Sequence, residues 1–436
     1  MSEGTSEGDR DPLGAQDLPP AELPPDTLPV RGSTLRLLVS RPFGPYVLGS
    51  ALSSIGTWFQ NIAAGLLVYE LTGSTLLVGT VNFALFIGTV LLAPWAGSAA
   101  DRYDRRRLLM LTQLVAALVS VALAVATVLG LVSAAVVVAA SLLLGLSLAF
   151  MVPALQALVP LLVAEEDLDL AISLNSVSFN LARAVGPVLG AMVAQGAGYG
   201  TAFTLNAASF VVFAVALAFV RPRRQHRVKG PPPKLLETAR LVAGSRSWTA
   251  LLVATCVISI STDPINTLTP ELALDVFGGR RIDAGLMVGA FGAGATFTAF
   301  TLTSWVRRRR HALFGGMLIQ GFGMIGVGLA PSLPLALAFL AASGAGFIAG
   351  ITRATVRLQL EVPDAQRGRV MALWSLAFVG TRPFAALVSG VAAEVFGARV
   401  AAVAMALPVL LAVPWLHRRL QVGRPQGCDD GASDAS

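Results

Sequence analysis

Arg183, Asp263 and Arg382 each lie near the centre of a long run of otherwise almost wholly apolar residues. An ionised side chain at the middle of a membrane helix costs about 2.5–3.5 kcal/mol, so such a group faces the protein interior with a partner. A guanidinium there can hold an anion, and a carboxylate can take up and release a proton or neutralise an arginine. Asp263 precedes Pro264 in STDPINTLTP (261–270), where a proline-broken helix frees backbone carbonyls beside the acid. It is the only carboxylate expected at that depth, which makes it the candidate proton-titrating group; service as a plain counter-ion is equally open. Gln60 and Asn61 in the first run and Asn266 in the seventh are expected to line the same central cavity. Glu70, Glu271 and Glu394 fall near run ends, where the expectation is simple solvation.

Covalent chemistry finds little support. His226, His311 and His417 sit in loops or at run ends, and neither a phosphate-binding Gly-Lys-Thr loop nor HExxH occurs. Cys256 and Cys428 cannot build a disulfide framework or a zinc site. No catalytic residue, metal or cofactor is expected.

The side chains must be positioned by elements that suit lipid. Of 436 residues, 55% are hydrophobic and 13% charged, and the mean hydropathy is +0.71. A soluble domain carries roughly 25% charged residues, so this chain could not cover itself in water. A net charge of +7 could suggest nucleic acid, but the arginines cluster between apolar runs as membrane-protein loops do. The polar, acidic start carries none of the marks of a signal peptide.

Runs long enough to cross a bilayer fall near 45–69, 75–99, 107–129, 134–159, 170–195 and 201–220, then near 249–274, 283–306, 312–330, 334–357, 369–394 and 398–416. The expected fold is therefore all-α and polytopic, with twelve transmembrane helices as two six-helix repeats. Its parts are a disordered tail at 1–33, a six-helix bundle at 34–220, a linker at 221–247, a second bundle at 248–420 and a disordered tail at 421–436. Arginines crowd the even-numbered gaps and both ends, whereas the odd-numbered gaps carry only Arg280, Arg281 and Arg399. Positive residues mark the cytoplasmic side, which places both termini and the linker inside. Within the linker, Leu235, Leu236, Ala239 and Val242 share one helical face, as in a helix lying on the inner leaflet.

The halves resemble each other. A shift of 199 lays 163–185 over 362–384 without a gap, pairing Glu165 with Asp364 and Arg183 with Arg382. A repeated unit of this size, with a pathway between the copies near the midplane, is a transporter architecture. The loop GSAADRYDRRRLL (97–109) resembles the signature loop of the major facilitator superfamily through Gly97, Asp101, Arg102, Arg105 and Arg106, with Asp104 where the family has Gly. Gly97 would permit close helix approach, Asp101 could cap a helix across the half, and the resemblance implies a gating latch. RAVGPVLGA (183–191) is similar to the family's antiporter motif through Gly186, Pro187 and Gly190, with Ala191 in place of the last Gly. Residues 36–420 as a whole resemble the branch of bacterial enterobactin (siderophore) and macrolide exporters, carried further by TGSTLLVG (72–79) and VPDAQRGRVMAL (362–373). The fourth run lacks the Arg that many proton-coupled relatives place there.

The resemblance implies a monomeric secondary transporter of the bacterial inner membrane, exporting a small molecule such as a siderophore or drug against a proton. Macrolide-like drugs and lysophospholipids are alternative cargoes. An integral-membrane enzyme, a sensor and a scaffold are the rival classes. Two arginines against one aspartate leave the central layer positive, which favours an anionic cargo. Protonating Asp263 would strengthen its binding and deprotonation would weaken it.

Overall fold

Inside a bilayer no water satisfies a peptide group, so every apolar run must close its hydrogen bonds within itself. The computed structural model describes residues 34–223, 235–302, Val306 and 311–421, and these form helices and turns with no strand. The tails expected at 1–33 and 421–436 (Gln421 excepted), the middle of the linker and Arg307 to Arg310 lie outside the described residues.

The first six spans are α1 (Gly44–Thr72), α2 (Thr75–Leu91), α3 (Arg105–Val128), α4 (Ala134–Leu158), α5 (Leu168–Gly196) and α6 (Gly198–Phe219). The second six are α7 (Arg246–Val276), α8 (Arg281–Phe297), α9 (Ala312–Leu329), α10 (Leu333–Glu361), α11 (Gln366–Phe396) and α12 (Ala398–Gln421). Eleven of these are long and apolar enough to cross a membrane unaided; the twelfth needs α2 together with the bent continuation Ala93–Arg102. Pro94 opens that continuation and cannot donate to the preceding turn, which accounts for the bend. Local chemistry sets many ends. Ser74, Asp104, Ser133 and Ser245 each accept from a backbone N–H three residues on. Gly73 ends α1 in the left-handed conformation, with φ of 64°.

Each half packs in the same pattern. α2 lies on α4 and α3 on α6, as α8 lies on α10 and α9 on α12. The repeat-related Gly145 and Gly344 stand at matching contacts: a Cβ at the first would strike the Leu85 carbonyl, and at the second the Phe291 carbonyl. The halves meet through α5 on α8 and α2 on α11, two contacts that the internal repeat interchanges. Both are close. Gly285, Gly289 and Gly292 of α8 let it settle on Ala184, Pro187 and Val188 of α5, and Gly79 and Gly390 face each other between α2 and α11.

The short helix Leu235–Ala243 fulfils the periodicity read in the linker, but it does not lie free. Val242 is buried, and Thr249 donates to its carbonyl at 2.9 Å, so the helix docks against α7 and the first half of α11.

Candidate functional site

Asp263 sits where α7 breaks. Regular helix stops at Ile260 and resumes at Pro264, and the turn between them carries the acid. The carboxylate is fully buried. Thr267 donates to Oδ2 at 3.4 Å, and Oδ1 has no hydrogen-bond partner among the described residues. One carbonyl freed at the break, Ile258 O, is answered by Gln320 of α9, which donates to it and to Thr262 Oγ1, both at 2.9 Å. Ser261 ties the turn to Met405 O of α12 at 2.8 Å. Gln320 is itself fully buried, and nothing in its surroundings in the sequence announces this role.

The two arginines treat the rings around them alike. Arg183 leaves α5 and packs against three rings, its guanidinium carbon 4.9 Å from the centroid of Phe291 (α8), 5.0 Å from Phe347 (α10) and 5.6 Å from Trp58 (α1). Arg382 leaves α11 and stacks 4.4 Å from Phe86 of α2. Each therefore crosses from its own half to an aromatic ring of the other, Phe291 on α8 and Phe86 on α2 being on repeat-related helices. Arginine stacked on aromatic faces keeps its N–H donors at the edge, in plane. No protein acceptor or carboxylate within 4 Å takes those donors, among the described residues. Asp263 forms no ion pair with either arginine among the described residues, so the three charges interact only at longer range. α11 relaxes its helix at Gly380 and Thr381, immediately before Arg382, while α5 runs unbroken through Pro187.

The expected amide lining divides. Asn61 donates to Asn82 Oδ1 at 3.3 Å, and Asn82 donates at 3.4 Å to Asn266 O, a chain that joins α1 through α2 to the broken stretch of α7. Gln60 points elsewhere. It is buried within the first bundle, where its Oε1 accepts from Ser120 at 2.8 Å and Asn206 at 2.6 Å, and it lines a small, mostly apolar cavity that Asn61 also touches.

Gly186 and Gly190 serve packing in this conformation. A Cβ at either would collide with the α1 backbone at Ile55 or Phe59, so these glycines bring α5 against α1. In the 97–109 loop the geometry differs from expectation. A Cβ on Gly97 would meet nothing within 4 Å, so the close approach expected of it is not used here. Asp101 is exposed and pairs with Arg105 in its own half at 4.0 Å. Arg105 donates to Ala157 O at 2.8 Å, and Arg106 to Leu217 and Ala218 O, both at 2.6 Å; Arg102 is exposed. Asp104, the departure from the family's Gly, caps α3 through the Arg107 N–H at 2.8 Å. Asp101→Asn keeps the shape and removes the loop's carboxylate charge, 4.0 Å from Arg105. Transport should fall to a few per cent while cargo affinity stays within a few-fold, measured by uptake into vesicles and by titration of the purified protein. Loss of binding as well would give Asp101 a different role.

Sequence reading missed a second constellation, at the opposite end. Glu70 holds Arg281 through two bonds of 2.6 and 2.7 Å, and Arg281 also donates to Ala194 O and packs 4.6 Å over Tyr199. Glu394 accepts from Ser74 Oγ at 2.9 Å and Leu76 N at 3.2 Å, at the N-terminus of α2. Glu271 accepts from Thr75 and from Ala398 N at 2.9 Å, and Tyr69 donates to Asp275. These groups join one half to the other. At the arginine-rich end, by contrast, Arg105, Arg106, Ser247 and Arg357 all bond within their own halves. Charged residues at helix ends look solvated in a sequence; only the docking of the halves gives them partners.

A family model described as a transmembrane secretion effector matches residues 34–434. The staphyloferrin A transporter of Staphylococcus aureus is 24% identical, covering 80% of this chain and 88% of that protein. Macrolide efflux protein A of Streptococcus pyogenes is 21% identical over 80% and 88%, and the enterobactin exporter of Citrobacter koseri 26% over 91% and 97%. Among solved structures, the occupied inward-facing form of a bacterial homologue of the human lysosomal transporter Spinster superposes with a TM-score of 0.69, at 14% identity over 86% of this chain and 96% of that one.

Proposed function

Because the chain belongs to the transmembrane secretion effector family of the major facilitator superfamily, we propose that it expels a small anionic organic molecule across a bacterial inner membrane by alternating access. The chain is a multi-pass membrane protein of a transporter family; direction, cargo and coupling are the parts proposed here. The observation that carries the cargo class is the pair of repeat-related guanidiniums, Arg183 and Arg382. Both are stacked on rings of the opposite half, and neither has a protein acceptor among the described residues. Donors held this way at bilayer depth suit carboxylates, and an acidic, polyhydroxylated siderophore is the form of cargo that fits best. The siderophore exporters among the relatives support that reading, and the macrolide efflux relative supports expulsion in general. Asp263 is the proton-titrating group, Asn61 and Asn266 are polar lining, and the protein works as a monomer.

Proteoliposomes with an imposed proton gradient and membrane potential test the reading against acidic siderophores, macrolides, cationic drugs and lysophospholipids. Acidic cargo should be moved, and Arg183→Gln or Arg382→Gln should each weaken its binding about tenfold or more while leaving the fold intact. A preference for cations in the wild type overturns the cargo class.

The orientation has its own test. With both termini and the linker cytoplasmic, the latched end carrying Glu70 and Arg281 faces outward. A cysteine at Arg280 should react with an impermeant maleimide added to whole cells, and a cysteine at Ser2 should not. The reverse pattern inverts the molecule.

A further inference from the structure

A groove of about 730 Å³ runs along the flank of the second half, from the short helix Leu235–Ala243 up the faces of α7, α11 and α12 to Val90 of α2. Its walls are side chains such as Val253, Cys256, Ala377, Phe384 and Met405. The hydroxyls that line it, on Thr249 and Thr381, already donate to Val242 O at 2.9 Å and Ala377 O at 3.1 Å. Water entering the groove would find almost nothing to bind, and an apolar space of this size does not fill with water on its own terms. The surrounding medium is hydrocarbon, since the groove lies within the depth of the spans. The end beside the short helix carries charge. Ala239 and Ala243 face the groove from the short helix, and Arg240 stands exposed beside them; Arg246, also exposed, opens α7 one turn before Thr249.

We infer that this groove is a binding site for one acyl chain of an anionic phospholipid, whose phosphate lies against Arg240 and Arg246. Two cationic residues at the short-helix end and an apolar wall leading away from it are the arrangement that an anionic lipid satisfies and a neutral one half-satisfies. Glu237, on the exposed side of the same helix, is the nearby opposing charge and limits the attraction. The site borders the relaxed turn of α11 at Gly380 and Thr381, immediately before Arg382, and it touches both halves through Val90. A bound chain therefore wedges the seam between α2 and α11. The inference stands apart from the cargo reading, because it needs neither transport nor an anion at Arg183.

The full-length protein in nanodiscs, doped with phosphatidylglycerol or phosphatidylcholine carrying a photoactivatable diazirine on one acyl chain, tests it by peptide mass spectrometry. Phosphatidylglycerol should label peptides spanning 252–260 and 373–388 at least fivefold more than it labels the lipid-facing surface of α3 around Leu118. Val253→Phe and Ala377→Phe, two independent ways of filling the groove, should each bring that labelling down to the α3 level. Arg240→Gln with Arg246→Gln should make the two lipids equal while the groove is still labelled. Uniform labelling of all lipid-facing helices, or labelling unchanged in both filled variants, overturns the site. A phosphatidylglycerol preference that survives loss of both arginines overturns the headgroup assignment. Transport assays of the same variants are not needed, so failure of the cargo reading leaves this test unaffected.

Discussion

Glu70→Arg alone, or Arg281→Glu alone, should reduce transport about tenfold, and the two together should recover much of it. The pair is bidentate and joins the halves, at 2.6 and 2.7 Å. A charge-assisted hydrogen bond contributes about 1.5–3 kcal/mol when shielded. Both side chains are about one-third exposed, 32% and 29%, which moves the expectation to the lower end. About 1.4 kcal/mol is a tenfold change in the equilibrium between latched and unlatched states. Recovery in the double variant will be partial, because Arg281 also donates to Ala194 O and packs on Tyr199. Glu394→Gln should act in the same direction with a smaller effect, since Ser74 and Leu76 lose only the charge they bond to. Spin labels at Leu71 and Phe396, on ends belonging to opposite halves, report the gate directly. The single variants should gain a longer distance that the double variant loses. Unchanged distances in the singles would mean that the pair does not hold the gate.

Asp263→Asn should tighten anionic cargo binding at pH 8 and abolish most of its pH dependence. Ionised Asp263 offsets one of the two central positive charges, and protonation removes that offset. One unit charge about 8 Å from a bound anion, at an effective dielectric near 20, changes the binding energy by about 2 kcal/mol, or roughly thirtyfold in affinity. In the wild type, affinity for an acidic cargo should therefore rise as pH falls from 8 to 5.5, and Asn, the mimic of the protonated acid, should hold it near the low-pH value throughout. The sign matters for energetics. Proton and anion that favour each other's binding cannot exchange for one another at this site. With that outcome Asp263 tunes affinity, and expulsion of an anion draws on the inside-negative potential, about 2.3 kcal/mol per charge per 100 mV. Affinity that falls with falling pH gives the opposite result: proton and cargo exclude each other, and exchange, as the resemblance around Gly186 and Pro187 implies, is the mechanism. A profile in Asp263→Asn identical to wild type would remove Asp263 from either role.

The motifs were legible to different depths. Asp101, Arg105 and Arg106 can be found from spacing, but the carbonyls that Arg105 and Arg106 bond, on Ala157 and Leu217, lie far off in the sequence and only packing brings them near. Asn61 is linked through Asn82 to the backbone of Asn266 in the broken helix, whereas Gln60 bonds within its own bundle. The carboxylates Glu70, Glu271 and Glu394 look like solvated ends in the sequence and are instead cross-half fastenings.

What the sequence by itself determined is what each segment could settle alone. A membrane span must satisfy its own backbone, so length, apolar content, capping residues and prolines set most helix ends to within a few residues. The bend after Leu91, the early end of α8 at Phe297 and the interruption of α11 at Gly380 and Thr381 show only in the folded chain. The same locality made the depth of Arg183, Asp263 and Arg382 readable, since depth is position along a span. Helix rotation and the pairing of the halves were not local. Which way Gln60 faces, which rings sandwich Arg183, that Gln320 answers the carbonyl freed in α7, and that Arg281 meets Glu70 all depend on residues far apart in sequence. Those were decided by tertiary packing, where close glycine contacts between α5 and α8 and between α2 and α11 bring the two halves near enough for side chains to choose their partners.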